Sequence, residues 1–193
     1  MLRRLYNWTM GLASGRFAVP ALAGVSFAES SFFPIPPDVV LIPMVLANRR
    51  RAMWYALIAT VSSVIGALVG YAIGALLFEA VAEPLLEFYG AHEQFDEFKE
   101  WFEDRGAWIV LFAGVTPFPF KVITIASGTV GLSLPVFIVA SIVARGFRFA
   151  LVATLLYFFG PPIRDFIERR LGLAFTVFMV LLIGGFFLIR YVI

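Results

Sequence analysis

The chain has 193 residues, of which 61% are hydrophobic and only 15% charged, with a mean hydropathy of +0.92. Soluble domains are about 45–50% apolar and about 25% charged, so this is the composition of an all-α integral membrane protein with one membrane domain over residues 1–193. With no cysteine, one histidine (His92) and a net charge of +2, the chain lacks thiolate or His-pair metal chemistry and is too weakly charged for nucleic acid.

Residues 1–20 carry Arg3, Arg4 and Arg16 among apolar positions. Arg16 interrupts the apolar run before it reaches signal-peptide length, so an interfacial amphipathic helix is expected over 2–20. Residues 21–78 are expected to form a first repeat. Its opening segment, 21–47, is apolar but broken at Pro34-Ile35-Pro36-Pro37. Proline removes a backbone donor, clashes with the preceding turn and disfavours helix in the residue before it. The two arms that remain have about 10–13 residues each, enough to reach roughly half-way through a hydrocarbon core of about 30 Å. A re-entrant helical hairpin is therefore expected, followed by a membrane-crossing helix over 52–78.

Residues 79–105 form an acidic connector with nine acidic side chains. Phe88, Phe95, Phe98 and Phe102 recur near helical spacing there, so a helix lying on the membrane is expected, with Gly106 as its C-cap. A second repeat is expected over 106–160. Its hairpin, 107–130, is broken at Pro117-Phe118-Pro119, and a crossing helix follows over 134–159. The C-terminal part, 161–193, supplies a third span over 171–189. Arg3, Arg4 and Arg16 precede the first broken segment and Arg49, Arg50 and Arg51 follow it; a re-entrant path keeps both groups inside, as basic residues near membrane ends prefer. A multi-pass protein of the cell inner membrane is expected.

The two breaks align without a gap at an offset of 83 residues, Asp38 falling on Lys121. With one hairpin entering from each side, this is an inverted repeat, and paired broken segments point to a transporter's midplane site. After every interfacial charge is assigned, Glu29, Asp38, Lys121, Arg145 and Arg148 remain at depth. A charge at the bilayer centre costs about 2.5–3.5 kcal/mol on insertion scales, so the five are expected to converge on one cavity. Fully ionised, that cavity favours an anionic ligand, and its acids are candidates for proton exchange. The alternative is a set of structural ion pairs joining the repeats, with Asp38–Lys121 as the symmetry-related pair. Gly66, Gly70 and Gly74 share one helix face, a pattern for close helix packing. Ser30, Ser31, Thr116 and Ser127 are read as caps or head-group contacts. No nucleophile, metal cluster or phosphate-binding loop points to an enzyme, and no cofactor is expected.

Phe27-Ala28-Glu29-Ser30-Ser31-Phe32-Phe33-Pro34-Ile35-Pro36-Pro37-Asp38 resembles the first-hairpin signature of DedA proteins, also called the VTT or SNARE-associated Golgi protein family. The glycines of 66–74 resemble that family's glycine motif, and Thr116-Pro117-Phe118-Pro119-Phe120-Lys121 with Ala126-Ser127-Gly128 resembles its second hairpin in the YqaA-like branch. The resemblance implies a lipid flippase or scramblase, with the essential acids carried onto Glu29 and Asp38. The family's second-hairpin arginine motif is replaced here by Gly114 and Lys121, with Arg145 and Arg148 in the next span. The expected cargo is an anionic phospholipid or polyprenyl phosphate, with its phosphate on Arg145, Arg148 and Lys121. A proton-coupled carrier of a small soluble ion and a non-transporting scaffold are the alternatives, and a homo-oligomer is compatible with such a fold.

Overall fold

The computed structural model describes residues 17–33, 35–78, 80, 83–89, 92–116 and 119–169. The expected amphipathic helix up to residue 16, the third span, and Pro34, Pro117 and Phe118 of the two breaks lie outside the described residues. Among the described residues, regular structure is helical throughout: α1 Ala18–Ser31, α2 Asp38–Ala47, a 3-10 turn Arg49–Arg51, α3 Ala52–Leu77, α4 Glu83–Tyr89, α5 His92–Val115, α6 Phe120–Thr129 and α7 Leu134–Arg169.

Both proline-marked segments are helix–break–helix. In the first, α1 closes with the Phe32 and Phe33 amides on the Ala28 carbonyl, and α2 opens on the Pro37 carbonyl, which accepts from the Val40 and Leu41 amides. Proline is favourable at that place, since a first-turn residue has no helical acceptor to lose. The first arm starts at Ala18, three residues before the expected boundary, because Pro20 sits in the first turn where it is tolerated. In the second, α6 opens with the Val122 amide on the Pro119 carbonyl. The register of the two halves agrees closely: Phe120 follows Asp38 by 82 residues and Leu134 follows Ala52 by the same 82, against 83 from aligning the motifs.

Two further boundaries differ from expectation. Gly106 does not cap a helix. α5 runs through it to Val115, joining the acidic connector to the first arm of the second segment. Gly106 is buried, and a Cβ there would stand 2.5 Å from Leu132 Cδ1, so its missing side chain makes room for a neighbour. The true turn glycine is Gly131, at φ +72 between α6 and α7, in the left-handed region that suits glycine. Finally, α7 runs past the expected end at 159, continuing through Pro161 and Pro162 to Arg169. Prolines are tolerated inside membrane helices where neighbours meet the freed backbone groups.

Among the described residues, two helices are long and apolar enough to cross a membrane, Arg49–Leu77 and Leu134–Gly160. Their outward residues, among them Trp54, Leu57, Ile65, Val139, Phe147 and Phe158, are exposed and apolar, as a lipid-facing surface requires. The helices are interlocked. α1 packs on α3 and α5 on α7, each within its own half, while α2 crosses to α7 and α6 crosses to α3. The α3 contacts rest on the glycine face. A Cβ on Gly66 would collide with the Phe27 carbonyl of α1, and one on Gly74 with the Ile125 carbonyl of α6. Gly128 of α6 makes the reciprocal approach to the Tyr71 carbonyl, so the packing reading of the glycines holds.

Two hydrophobic cores result. One joins Leu22, Leu41, Met44 and Val45 to Ala56, Ala59, Phe149 and Ala153. The other joins Ala67 to Phe102, Val110, Phe120, Leu132, Phe137 and Ala140. Along α3 the cores part between Ala59 and Ala67, and along α7 between Ala140 and Phe149. The residues in those two gaps include Ser63, Arg145 and Arg148.

Candidate functional site

The waist between the two cores is polar. On α1, Ser26, Glu29 and Ser30 are buried together, at the spacing that shares one helix face. On α7, Arg145 and Arg148 lie three residues apart and meet that face. The Arg145 guanidinium is fully buried and donates through Nη2 to Glu29 Oε2 at 2.7 Å and through Nε to Ser63 Oγ at 2.7 Å. Ser63 and Ser30 hydroxyls are 2.6 Å apart, and Ser30 donates to Glu29 Oε2 at 3.3 Å. Since Ser63 already accepts from Nε, the order that satisfies every group is Ser63 donating to Ser30 and Ser30 donating to Glu29. The ring of four groups therefore closes on itself. Phe120, from one core, and Phe149, from the other, stack on the guanidinium with their ring centres 5.0 and 4.6 Å from Cζ. A cation over aromatic faces recovers part of its lost hydration.

One turn along α7, Arg148 reaches the two chain breaks. Its Nη2 donates to Asp38 Oδ2 at 2.5 Å, where Asp38 opens α2, and its Nη1 donates to the Thr116 carbonyl at 3.1 Å, just after α5 ends. Lys121, in the first turn of α6, points Nζ at the Phe32 carbonyl, just after α1 ends, at 3.5 Å. All five residues singled out in the sequence thus gather around the breaks. The expected Asp38–Lys121 pair does not form. The fork of Arg148 satisfies a carboxylate and a carbonyl together, which a single ammonium does not match, and Lys121 turns to Phe32 instead.

Both acids of the cluster come from the first half of the chain and all three bases from the second. Each ion pair keeps one atom without a partner among the described residues, the donor Arg145 Nη1 and the acceptor Asp38 Oδ1.

The sequence did not single out Ser63, Phe120 or Phe149. Its place three residues before Gly66, and so on that glycine's face, was the available signal that separated Ser63 from its neighbour Ser62. The cap reading of the other hydroxyls is replaced by bonds to helix carbonyls: Ser31 donates to Phe27 and Gly66, and Ser127 to Ile123. Thr124, also not singled out, donates to the Ser30 carbonyl across α6 and α1.

A family profile described as the VTT domain matches residues 35–159, which spans the helices that build this cluster from α2 to α7. The chain belongs to the VTT domain family. An uncharacterised protein of Haemophilus influenzae is 34% identical over 186 residues, covering 96% of each chain. An uncharacterised protein of Histophilus somni is 36% identical over 151 residues, covering 78% of each. No solved structure matches this chain. As a VTT domain protein it is a membrane protein, in keeping with its two crossing-length apolar helices.

In this VTT domain protein, a double-mutant cycle tests the pairing at the breaks. Asp38 and Arg148 are expected to couple by about 1–3 kcal/mol, and Asp38 and Lys121 by less than about 0.5 kcal/mol, in denaturant unfolding of the purified protein. Equal coupling in the two cycles would contradict the geometry described here.

Proposed function

We propose that this protein translocates membrane lipid between leaflets, as a flippase or scramblase whose cargo carries an anionic head group. In this reading the two helix–break–helix segments are re-entrant hairpins entering from opposite faces of the inner membrane, related as an inverted repeat. The head group passes the polar waist while the acyl chains stay in the bilayer. Glu29 gates the passage: its protonation frees Arg145, loosens the ring through Ser30 and Ser63, and lets the two halves part.

The observation that carries the reading is the division of charge. Among the described residues, each ion pair of the waist joins an acid of the first half to a base of the second. A change of protonation or a competing anion therefore acts on the contact between halves, the contact that alternating access has to open. The VTT domain family is linked in general to membrane transport, which supports the same reading.

In proteoliposomes with fluorescent lipid in both leaflets, an impermeant quencher reports lipid sidedness. Wild-type protein is expected to abolish sidedness, and Glu29→Gln to leave it intact while still eluting as a folded, monodisperse species. Wild-type rates in Glu29→Gln would remove Glu29 from the mechanism. The engagement of both arginines by carboxylates favours one second reading, a non-transporting scaffold. Unchanged sidedness with the wild-type protein, with or without a proton gradient, would move the assignment there or, if substrate-dependent proton flux appeared, to a carrier of a small soluble ion.

A further inference from the structure

The waist holds three cations, and their commitments differ. Arg145 is fully buried and bound to a carboxylate and a hydroxyl; Arg148 is bound to a carboxylate and a carbonyl. Drawing either guanidinium onto a phosphate strands a carboxylate that is itself buried, which is strongly unfavourable. Lys121 is bound differently. Among the described residues its ammonium has one partner, the neutral Phe32 carbonyl, in an exposed contact at the outer limit of hydrogen-bond length. An ammonium carries three donors, so most of its capacity is uncommitted.

Its surroundings narrow the ligand. The chain on either side of its partner carbonyl carries the exposed side chains of Phe32, Phe33 and Ile35, and Val122 beside it is exposed too. A lone accessible cation next to exposed apolar side chains suits a molecule with an anionic end and an apolar body. A freely soluble anion has no use for the apolar part.

We propose that Lys121 is the head-group recognition residue of this protein and selects a lipid whose phosphate carries net negative charge, while Arg145 and Arg148 hold the two halves together. This deepens the lipid-translocation reading and rests on it for its role in transport, but it is tested by binding. An ammonium at the end of four methylenes is suited to the task, since it can follow a moving phosphate as a point charge.

The test uses the purified full chain in neutral detergent, with fluorescent phosphatidylglycerol and zwitterionic phosphatidylcholine as probes. Wild-type protein is expected to bind phosphatidylglycerol the more tightly. Lys121→Gln is expected to weaken that binding about tenfold, the size of one charge-assisted hydrogen bond, with phosphatidylcholine unchanged. Lys121→Arg is expected to restore it, and the thermal unfolding of both variants to match wild type. Undiminished phosphatidylglycerol binding in Lys121→Gln overturns the proposal, as does an equal loss for both lipids. Displacement of the bound lipid by excess inorganic phosphate alone overturns the choice of a lipid over a soluble anion. Lys121-dependent binding without any loss of sidedness in proteoliposomes leaves this inference standing and removes the transport reading; transport with Lys121-independent binding does the reverse.

Discussion

Arg145→Ala is expected to cost about 3–5 kcal/mol of stability, because removing one partner of a buried pair leaves the other charge uncompensated. Arg145 has no exposed surface, and the Glu29 side chain is only 10% exposed. The substitution also opens a gap between the Phe120 and Phe149 rings and strips Ser63 of its donor. Burying a lone carboxylate at membrane depth is costly in its own right. Denaturant unfolding of the purified protein reads the loss directly. The joint variant Glu29→Leu with Arg145→Met is expected to recover most of it, since apolar groups of similar volume often replace a buried ion pair without penalty. That joint variant is then the informative one for function: folded, stable and without the Glu29 carboxylate. A loss below about 1 kcal/mol in Arg145→Ala would mean the pair is not sealed from water as its burial indicates.

The second large effect is expected on the glycine face of α3. Gly66→Ala and Gly74→Ala each direct a methyl group into a backbone carbonyl of a neighbouring helix, Phe27 of α1 and Ile125 of α6. A carbonyl cannot swing aside as a side chain can, so the whole helix has to move. Overpacking of this kind costs about 1–3 kcal/mol, and valine at either position costs more. Gly24 of α1 is the control. It is exposed with nothing within 4 Å of a new Cβ, and Gly24→Ala is expected to stabilise by about 0.5–1 kcal/mol through helix propensity alone. The same unfolding measurement on the three variants decides the matter; a common sign would show that propensity, and not helix contact, governs all three positions. Because Gly66 seats α1 two residues from Glu29 at Phe27, its substitution is expected to disturb the ion-pair ring as well.

What could be read from the chain alone follows from the range over which each signal acts. Proline acts on its own turn, so both breaks were visible, and apolar runs of crossing length located two of the three expected spans within three residues. The third lies outside the described residues. Charge left at depth is a property of composition, and it picked out all five residues that gather at the waist. Pairing is a property of docking. Repeat symmetry set Asp38 against Lys121, but the reach and fork of Arg148 decide the pairing, and no spacing rule records that α7 passes both breaks at one turn's distance. Gly106 misled for a related reason. After an acidic helix and an arginine it has the look of a stop signal, while its use is to admit Leu132 from a segment that is distant in sequence. Ser63 was passed over because nothing in the sequence sets it apart from Thr60 and Ser62 until its partner is known to be a guanidinium.

The crossing of α2 onto α7 has a consequence for how the chain is made. Glu29 precedes its partner by 116 residues and Asp38 precedes its own by 110. At about 5–20 residues per second of synthesis, both acids exist for on the order of ten seconds before any arginine of α7 has been made. During that interval α2 has no long helix of the other half to lie against, and its acid opens a segment that cannot yet rest in lipid. The ion pairs that join the two ends of the chain can close only after Arg145 and Arg148 of α7 have been made.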